Sequence, residues 1–513
     1  MHTTNTQNIT SWFRSVTAIH KPASIEEVRA LVQVARQTKT PIYPVSTGFN
    51  WGYGSRSPIT DQCALVDLSR MNRILNADEI SENNPVAVIE PGVTQGQLYD
   101  FLQSHCPGLG FNVTGSGRDT SIIGNALDRG VGYQGPRSQD IFALEIVTGA
   151  GELLQTGFRR LGTASPLAHS HPHGLGPMLD GLFLQGNFGI VTSACFRLLP
   201  RRPVNVALSL SVRNEQVLPD FINTLARLKR ENLLPAVTHI ANRARSLSTL
   251  NFGMVSYLEN DCGLGHDAAM AAADQASSIV AAGEWTCLTS ISGNKAQVKA
   301  VLQEVRGRLK KFGYLKVITD QRLDLAFALT HALRLLPLMR AHAAAISAVR
   351  PLHRLALGEP TDIPVKNLLW AFGEPEKPAV ALDQSHCGLL FISPALPSDG
   401  ILASRILDEL KRIAVRFQHT LYITINIETE TALAAIINLL FDRRSDEEIR
   451  RAHACADALL EYIHEQGLEL YRARADSMEK ITARHPDYWK KIRELKQVFD
   501  PDNIIAPGRY NLL

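Results

Sequence analysis

Short apolar runs separated by glycine-rich polar loops dominate the first two hundred residues of the chain. Apolar side chains recur at helical spacing in residues 24–37, with Glu26 and Glu27 near the start, and this pattern predicts an amphipathic helix. Further apolar runs predict buried strands at residues 41–45, 64–68, 86–89 and 191–199. Residues 143–147 and 152–155 flank a Gly-Ala-Gly turn and predict a hairpin. This part of the chain is therefore expected to mix short strands with helices.

The pattern changes after a Pro-Arg-Arg-Pro turn at residues 200–203. Longer helices are predicted beyond it, at residues 297–312 and 401–417, and they alternate with β-branched strands at residues 388–392 and 421–427. We therefore expect a second domain of the α+β type. The predicted organisation is a first domain at 1–203, a second at 204–467 and a C-terminal segment at 468–513, which contains a helix at 486–498.

Five glycines among small hydroxyl residues mark the stretch at residues 113–133, VTGSGRDTSIIGNALDRGVGY. Glycine lets backbone N–H groups converge on an anion, so the stretch indicates a phosphate of a cofactor. It has neither a G-x-G-x-x-G between a strand and a helix nor the Lys-Ser/Thr of a P-loop. The alternative is a tight loop with a purely structural role.

Charge and cysteine content exclude several classes of function. The 53 Lys and Arg residues nearly balance the 50 Asp and Glu residues, and they form no basic block, which argues against a nucleic-acid partner. The seven cysteines are scattered and never spaced C-x-x-C, so neither a disulfide framework nor a metal site is predicted. Residues 1–12 are polar and no apolar run is long enough to span a membrane. We expect a soluble, cytoplasmic protein.

Six sequence segments in a fixed order extend over essentially the full length of the chain. The segments are STGFNWGYG at 46–54, ALVDLSRMNRIL at 64–75, EPGVT at 90–94, GNALDRGVGY at 124–133, GLGPMLDGLFLQGNFGIVT at 174–192 and DPDNIIAPGR at 500–509. Taken together they resemble the flavoproteins of the vanillyl-alcohol oxidase and p-cresol methylhydroxylase type. The resemblance implies an α+β fold, in which a two-part FAD-binding domain of the p-cresol methylhydroxylase type carries an inserted α+β cap domain over the substrate.

The same resemblance implies FAD as the cofactor and assigns residues to it. In this fold irregular loops, rather than a Rossmann helix, present backbone donors to the pyrophosphate. The residues that match cofactor-binding positions are Ser46, Thr47, Gly48, Asn50, Gly52, Pro91, Gly92, Thr114, Gly115, Ser116, Gly124, Asn125, Gly189, Ile190, Val191 and Arg509.

Three further residues match a substrate clamp. In phenol-oxidising members two tyrosines and an arginine bind the phenolate oxygen, and Tyr53, Tyr471 and Arg472 occupy the matching positions. A phenol has a pKa near 10, and lowering it by one unit takes about 1.4 kcal/mol of preferential stabilisation of the anion. The phenolate can then transfer a hydride from its para substituent to flavin N5, leaving a quinone methide that becomes an alcohol, aldehyde or alkene. Alternatively, Tyr53 only packs in its loop, and the Arg-Tyr pair could equally hold a carboxylate or an enolate.

The chain departs from the family at two positions. Residues 431–435 read TALAA, so Ala434 and Ala435 stand where relatives attach the flavin covalently through His or Tyr, and we predict noncovalent FAD. The acid that vanillyl-alcohol oxidase places near flavin N5 falls at residues 114–116, which contain no acid. These departures favour, as alternatives, a tailoring oxidase acting on a non-phenolic secondary metabolite or a non-catalytic flavin-binding subunit. The electron acceptor is expected to be oxygen or a redox partner, and a homodimer is possible from the relatives.

Overall fold

Two four-stranded sheets fill the N-terminal part of the chain in the computed structural model, which describes residues 4–513. The strands are β1 (Thr4–Asn5), β2 (Ser15–His20), β3 (Ile42–Val45), β4 (Cys63–Asp67), β5 (Val86–Ile89), β6 (Leu109–Gly110), β7 (Val131–Gly132), β8 (Gly135–Pro136), β9 (Ile141–Thr148), β10 (Leu153–Gln155), β11 (Gly189–Arg197) and β12 (Leu199–Pro200). One sheet has the order β1-β2-β4-β3 and the other β10-β9-β11-β5. The predicted hairpin is confirmed, because β10 pairs antiparallel with β9.

Three helices accompany these sheets, namely α1 (Ile25–Thr38), α2 (Gln95–His105) and α3 (Ile122–Leu127). The Ser24 side chain accepts a hydrogen bond from the Glu27 N–H and begins α1 one residue after the predicted start. The apolar stripe of α1 buries Val28 and Val32 in the same cluster as β3 and β4. The amphipathic pattern therefore identified both the helix and its buried face.

The rest of the chain is organised around one eight-stranded sheet. Its strands are β13 (Val204–Val212), β14 (Thr238–Asn242), β15 (Trp285–Gly293), β16 (Lys316–Ile318), β17 (Cys387–Pro397), β18 (Tyr422–Ile427), β19 (Ala432–Asp442) and β20 (Leu470–Arg472). The order is β16-β13-β15-β14-β18-β19-β17-β20. The edge strand β20 pairs with β17, with Arg472 opposite Ser393. A short strand late in the chain thus carries Tyr471 and Arg472 to the sheet.

Alternation along β18 gives the sheet two different faces. Ile423, Ile425 and Ile427 enter the large apolar core that helices cover, whereas Asn426 and Glu428 lie on the opposite, inner face. The helices that follow α3 are α4 (Leu218–Arg230), α5 (Arg243–Asn260), α6 (His266–Val280), α7 (Lys295–Leu309), α8 (Asp320–Ala332), α9 (Pro337–Ala356), α10 (Ile363–Ala371), α11 (Gly400–Arg416), α12 (Asp446–Glu465), α13 (Met478–Thr482) and α14 (Pro486–Phe499). Within residues 4–513, none of the helices is both long and apolar enough to cross a membrane.

The C-terminal segment returns to the N-terminal sheets. The Ile42 N–H donates to the Ile504 carbonyl and the Ala506 N–H to the Ile42 carbonyl, each at 2.8 Å, which adds the segment to the edge of β3. Arg509 follows this segment and lies close to residues 46–50, the loop after β3.

Candidate active site

A cavity lies between the end of β3, the start of α3, the start of β11 and the C-terminal segment. Many of the residues predicted to bind a cofactor line it, although they come from five separate parts of the chain. They are Ser46, Thr47, Gly48, Asn50, Pro91, Gly124, Asn125, Gly189, Ile190, Val191 and Arg509.

The loop after β3 offers backbone donors to this cavity. Gly48 has φ +79°, and an added Cβ would approach Arg56 Nε to 2.4 Å, so the loop needs glycine here. Arg56 braces the loop by donating to the Thr47 carbonyl at 2.9 Å. Among the described residues, the N–H groups of residues 47–50 donate to no protein group. Consecutive free N–H groups around a left-handed residue are the kind of arrangement that binds phosphate oxygens.

A second loop closes on the first at the start of α3. Ser121 caps this helix by accepting from the Gly124 N–H at 2.9 Å. A Cβ on Gly124 would lie 2.1 Å from Ser46 Oγ, so glycine permits the two loops to touch. Both glycine patterns in the sequence therefore mark close backbone approaches at one cavity.

Asp128 connects two arginines on the wall of the cavity. Its Oδ1 accepts from Arg509 Nη2 at 2.7 Å, and its Oδ2 accepts from Arg472 Nε at 2.7 Å. Arg509 also donates to the Tyr43 hydroxyl at 3.0 Å. Two guanidinium groups against one carboxylate leave a net positive charge, which suits an anionic cofactor such as a flavin dinucleotide.

The other predicted cofactor residues lie outside the cavity lining. Gly52 packs beneath Phe391, since a Cβ there would approach the Phe391 ring to 2.3 Å, and Gly92 lies against the backbone of residues 69–71. The Thr114 N–H donates to Gln95 Oε1 at 2.9 Å. The residues of the predicted set outside the lining are Gly52, Gly92, Thr114, Gly115 and Ser116.

Tyr53 and Arg472, two residues of the predicted substrate clamp, are in contact. The Tyr53 hydroxyl is 2.8 Å from Ser393 Oγ, and the Arg472 guanidinium carbon is 4.2 Å from the centre of the Tyr53 ring. Burial raises the pKa of Tyr53, and the Arg472 charge opposes this rise. Tyr471, the third residue, precedes Arg472 on β20 and lies near enough to Tyr53 for the two to influence each other electrostatically. Of the three, Arg472 lines the cavity, so the predicted cofactor and substrate positions adjoin there.

Two groups of this cluster have unused donors. Nε and Nη2 of Arg472 are taken by Asp128 and Asn50, whereas its Nη1 has no partner among the described residues. The Tyr471 hydroxyl is buried and likewise has no partner there. Burial raises the pKa of Tyr471, and the neighbouring charge of Glu428 raises it further, so this hydroxyl keeps its proton at neutral pH.

Glu428 is an acid beside this cluster that sequence reasoning missed. It directly follows β18, is 5% exposed, and its Oε1 has no hydrogen-bond partner in residues 4–513. Burial raises its pKa to about 8, although Arg129 and Lys229 oppose the rise. The alternation of β18 could have placed Glu428 on the polar face, but only the fold shows that this face is covered.

A family model described as "FAD binding domain" matches residues 16–157. The chain is 30% identical over 97% of its length to 1'-carboxy-chondrochloren decarboxylase of Chondromyces crocatus, and covers 90% of that protein. It is 25% identical over 96% of its length to the 4-cresol dehydrogenase [hydroxylating] flavoprotein subunit of Pseudomonas putida, and covers 88% of that protein.

A solved structure shows the same fold. The 4-ethylphenol oxidase from Gulosibacter chungangensis, in an isoeugenol complex, superposes with a TM-score of 0.81 at 24% identity, over 99% of this chain and 91% of that one. These similarities confirm the mixed α+β fold and FAD as the cofactor. The chain belongs to the FAD-dependent oxidoreductases of the p-cresol methylhydroxylase and vanillyl-alcohol oxidase type.

Proposed function

We propose that this FAD-dependent oxidoreductase oxidises a para-substituted phenol or a related aromatic anion. The observation that carries the proposal is the pair of unused donors, Arg472 Nη1 and the Tyr471 hydroxyl, beside a cavity suited to the flavin. The relative named 4-cresol dehydrogenase supports a phenolic substrate. FAD, when bound, supplies the acceptor for a hydride from the para substituent.

The two donors can ionise a phenol. A hydrogen bond to a charged group contributes roughly 1.5–3 kcal/mol, so two of them lower a phenol pKa by about two to four units. A phenol with an ordinary pKa near 10 would then have a pKa of about 6–8 in the site, so a substantial fraction binds as phenolate at neutral pH. The phenolate pushes electrons toward the para carbon and so assists loss of hydride from the substituent. Tyr53, held through Ser393, would complete the binding of the oxygen.

Glu428 would hold a proton on the substituent side of the substrate. With its pKa raised to about 8, the carboxyl is neutral at pH 7 and can donate through its own hydrogen. After loss of hydride, the product depends on whether the quinone methide takes up water or loses a proton. A buried carboxyl with an unpartnered oxygen is suited to exchanging that proton.

We propose in addition that residues 204–467 form the cap over the substrate, while residues 1–203 and 468–513 bind FAD. Seven strands of the eight-stranded sheet lie between Val204 and Asp442 and support this division, and β20 joins the sheet from the C-terminal segment. Ala434 is 1% exposed on β19 opposite Asn426 and has no nucleophilic atom, which supports noncovalent FAD. Oxygen or a redox partner would reoxidise the flavin.

Anaerobic flavin reduction by 4-alkylphenols tests the clamp. We expect Tyr471→Phe and Arg472→Ala each to slow reduction by about 10- to 100-fold, the equivalent of one lost charge-assisted hydrogen bond. Tyr488→Phe, which removes a hydroxyl from a residue 59% exposed, is the matched control and should behave as the wild type. Unchanged reduction in both clamp variants would show that the phenol is bound elsewhere or not at all.

A second candidate is oxidation with loss of carbon dioxide, which the relative named 1'-carboxy-chondrochloren decarboxylase favours. A substrate with a carboxylate one carbon beyond the oxidised carbon would lose hydride, and the C–C bond electrons would then return to the ring as CO₂ leaves, giving an alkene. Such a substrate, bound as the carboxylate, loses one hydride and one CO₂ overall, and the phenolic proton released on ionisation is regained when the electrons return to the ring oxygen. Release of labelled CO₂ from a carboxyl-labelled phenol in step with flavin reduction would establish it. Flavin reduction by non-aromatic alcohols or amines, with none by phenols, would instead select a non-phenolic tailoring oxidase.

A further inference from the structure

The start of α5 places an arginine on the inner face of the eight-stranded sheet. The N–H of Arg245 donates at 2.9 Å to Asn242 Oδ1, the cap of this helix. Asn242 also donates to the Leu421 carbonyl at 2.9 Å and accepts from the Ile423 N–H at 3.1 Å. The first turn of α5 is therefore fixed to the beginning of β18, and the half-buried Arg245 side chain is fixed with it.

The guanidinium of Arg245 has no counter-ion within the described part of the chain. It makes no hydrogen bond or ion pair with any side chain between residues 4 and 513, and burial lowers its pKa. Two other arginines of the site region have counter-ions, as Arg474 is paired with Asp476 at 2.9 Å and Arg509 with Asp128 at 2.7 Å. Partial removal of a guanidinium from water without a partner is unfavourable. Arg245 is thus a cation to which an anionic ligand would supply the counter-charge.

The charge of Arg245 acts on Tyr133 and His239, which are polar and uncharged. The Tyr133 and His239 rings lie 4.7 Å apart, and His239 Nδ1 is 2.8 Å from Asn426 Oδ1. Burial lowers the pKa of His239 to about 4, so its ring is neutral at pH 7. Asn426 and Glu428 lie two residues apart on the same face of β18. Arg245 therefore supplies the charge at one end of a row of polar side chains. The other end of this row is Glu428, which lies beside Tyr471 of the proposed substrate clamp.

We propose that Arg245 binds a carboxylate on the far end of the substrate's para substituent. This inference rests on the proposed function, because it extends the same substrate site. Six residues of β18, about 20 Å at about 3.3 Å each, separate the anchor of α5 from Glu428, so the carboxylate would lie at the end of a long para substituent. A planar guanidinium binds a carboxylate through two parallel hydrogen bonds. One cation matches the single charge of a carboxylate better than the double charge of a phosphate ester.

Binding to the FAD-loaded enzyme tests this assignment. The probes are ω-(4-hydroxyphenyl)alkanoates of increasing chain length, their methyl esters, and ω-phenylalkanoates that lack the phenolic hydroxyl. The dissociation constant of each probe is obtained from the change that it causes in the flavin absorbance. The wild type should prefer the carboxylate over its ester by about 10- to 100-fold at the optimal length. Arg245→Met should abolish this preference and leave ester binding unchanged, and Arg245→Lys should retain part of it. Arg243→Met is the matched control, because Arg243 lies in the same turn and donates instead to the Ala281 carbonyl at 2.9 Å.

The outcomes separate this inference from the proposed phenol oxidation. An equal carboxylate preference in wild type and Arg245→Met, or its equal loss in Arg243→Met, would overturn the role of Arg245. If the phenyl alkanoates bind with a preference that depends on Arg245 while no phenol reduces the flavin, Arg245 is an anion site and the phenol clamp is wrong. If phenols reduce the flavin but carboxylates bind no more tightly than their methyl esters at any chain length, the proposed phenol clamp is retained and the carboxylate site at Arg245 is wrong.

Discussion

Replacing Asp128 by Asn should destabilise the protein more than any exposed charge change. Its carboxylate accepts from Arg472 Nε and Arg509 Nη2, each at 2.7 Å, and from Asn50 Nδ2 at 3.1 Å. The three charged side chains are only 11–14% exposed. Asn preserves the shape but leaves two buried guanidinium groups without a counter-charge, and breaking a buried ion pair in this way costs about 3–5 kcal/mol.

Thermal unfolding of the FAD-loaded protein measures this loss. At about 2–4 °C per kcal/mol for a domain of this kind, the midpoint of Asp128→Asn should fall on the order of 10 °C. Asp220→Asn is the control, because its ion pair with Lys311 is more than half exposed on both sides and contributes about 1 kcal/mol or less. Equal shifts of the two variants would refute the reasoning that the two arginines depend on Asp128 for their charge balance.

Three further outcomes are expected. First, Glu428 keeps its proton up to about pH 8 in the folded state, whereas an ordinary glutamate loses its proton near pH 4.5. The folded state therefore binds more protons than the unfolded state between these two values, and the free energy of unfolding should fall as the pH rises, by at most about 5 kcal/mol. Urea midpoints across this range should decline less in Glu428→Gln, and parallel curves would contradict the assignment. Second, Gly52→Ala should cost about 1–3 kcal/mol, because the new Cβ would meet Phe391 at 2.3 Å, whereas Gly307→Ala, with no atom within 4 Å, should be neutral or stabilising in the same denaturation. Third, acid precipitation should release the flavin into the supernatant, and a yellow pellet would contradict the argument from Ala434.

Local patterns were sufficient for several elements. Helix α1 appears one residue from its predicted start because its apolar spacing and the Ser24 cap act within one segment. Strand β5 has its predicted bounds, and α14 begins at the predicted Pro486. The glycine loops also indicated close backbone approaches, because only glycine fits where a Cβ would overlap a neighbouring loop, as at Gly48 and Gly124.

Sequence by itself determined the family, the cofactor and the glycine loops that line the cavity, since these depend on residue types at short range and on motifs in a constant order. The tertiary structure alone decided which charges are compensated. Asp128 meets Arg472 across 344 positions of the chain, whereas the Glu428 Oε1 atom is buried and the Arg245 side chain half-buried without a partner among residues 4–513. Burial and the distance between charges control pKa and ion pairing, and both are properties of the packed chain, which no local pattern contains.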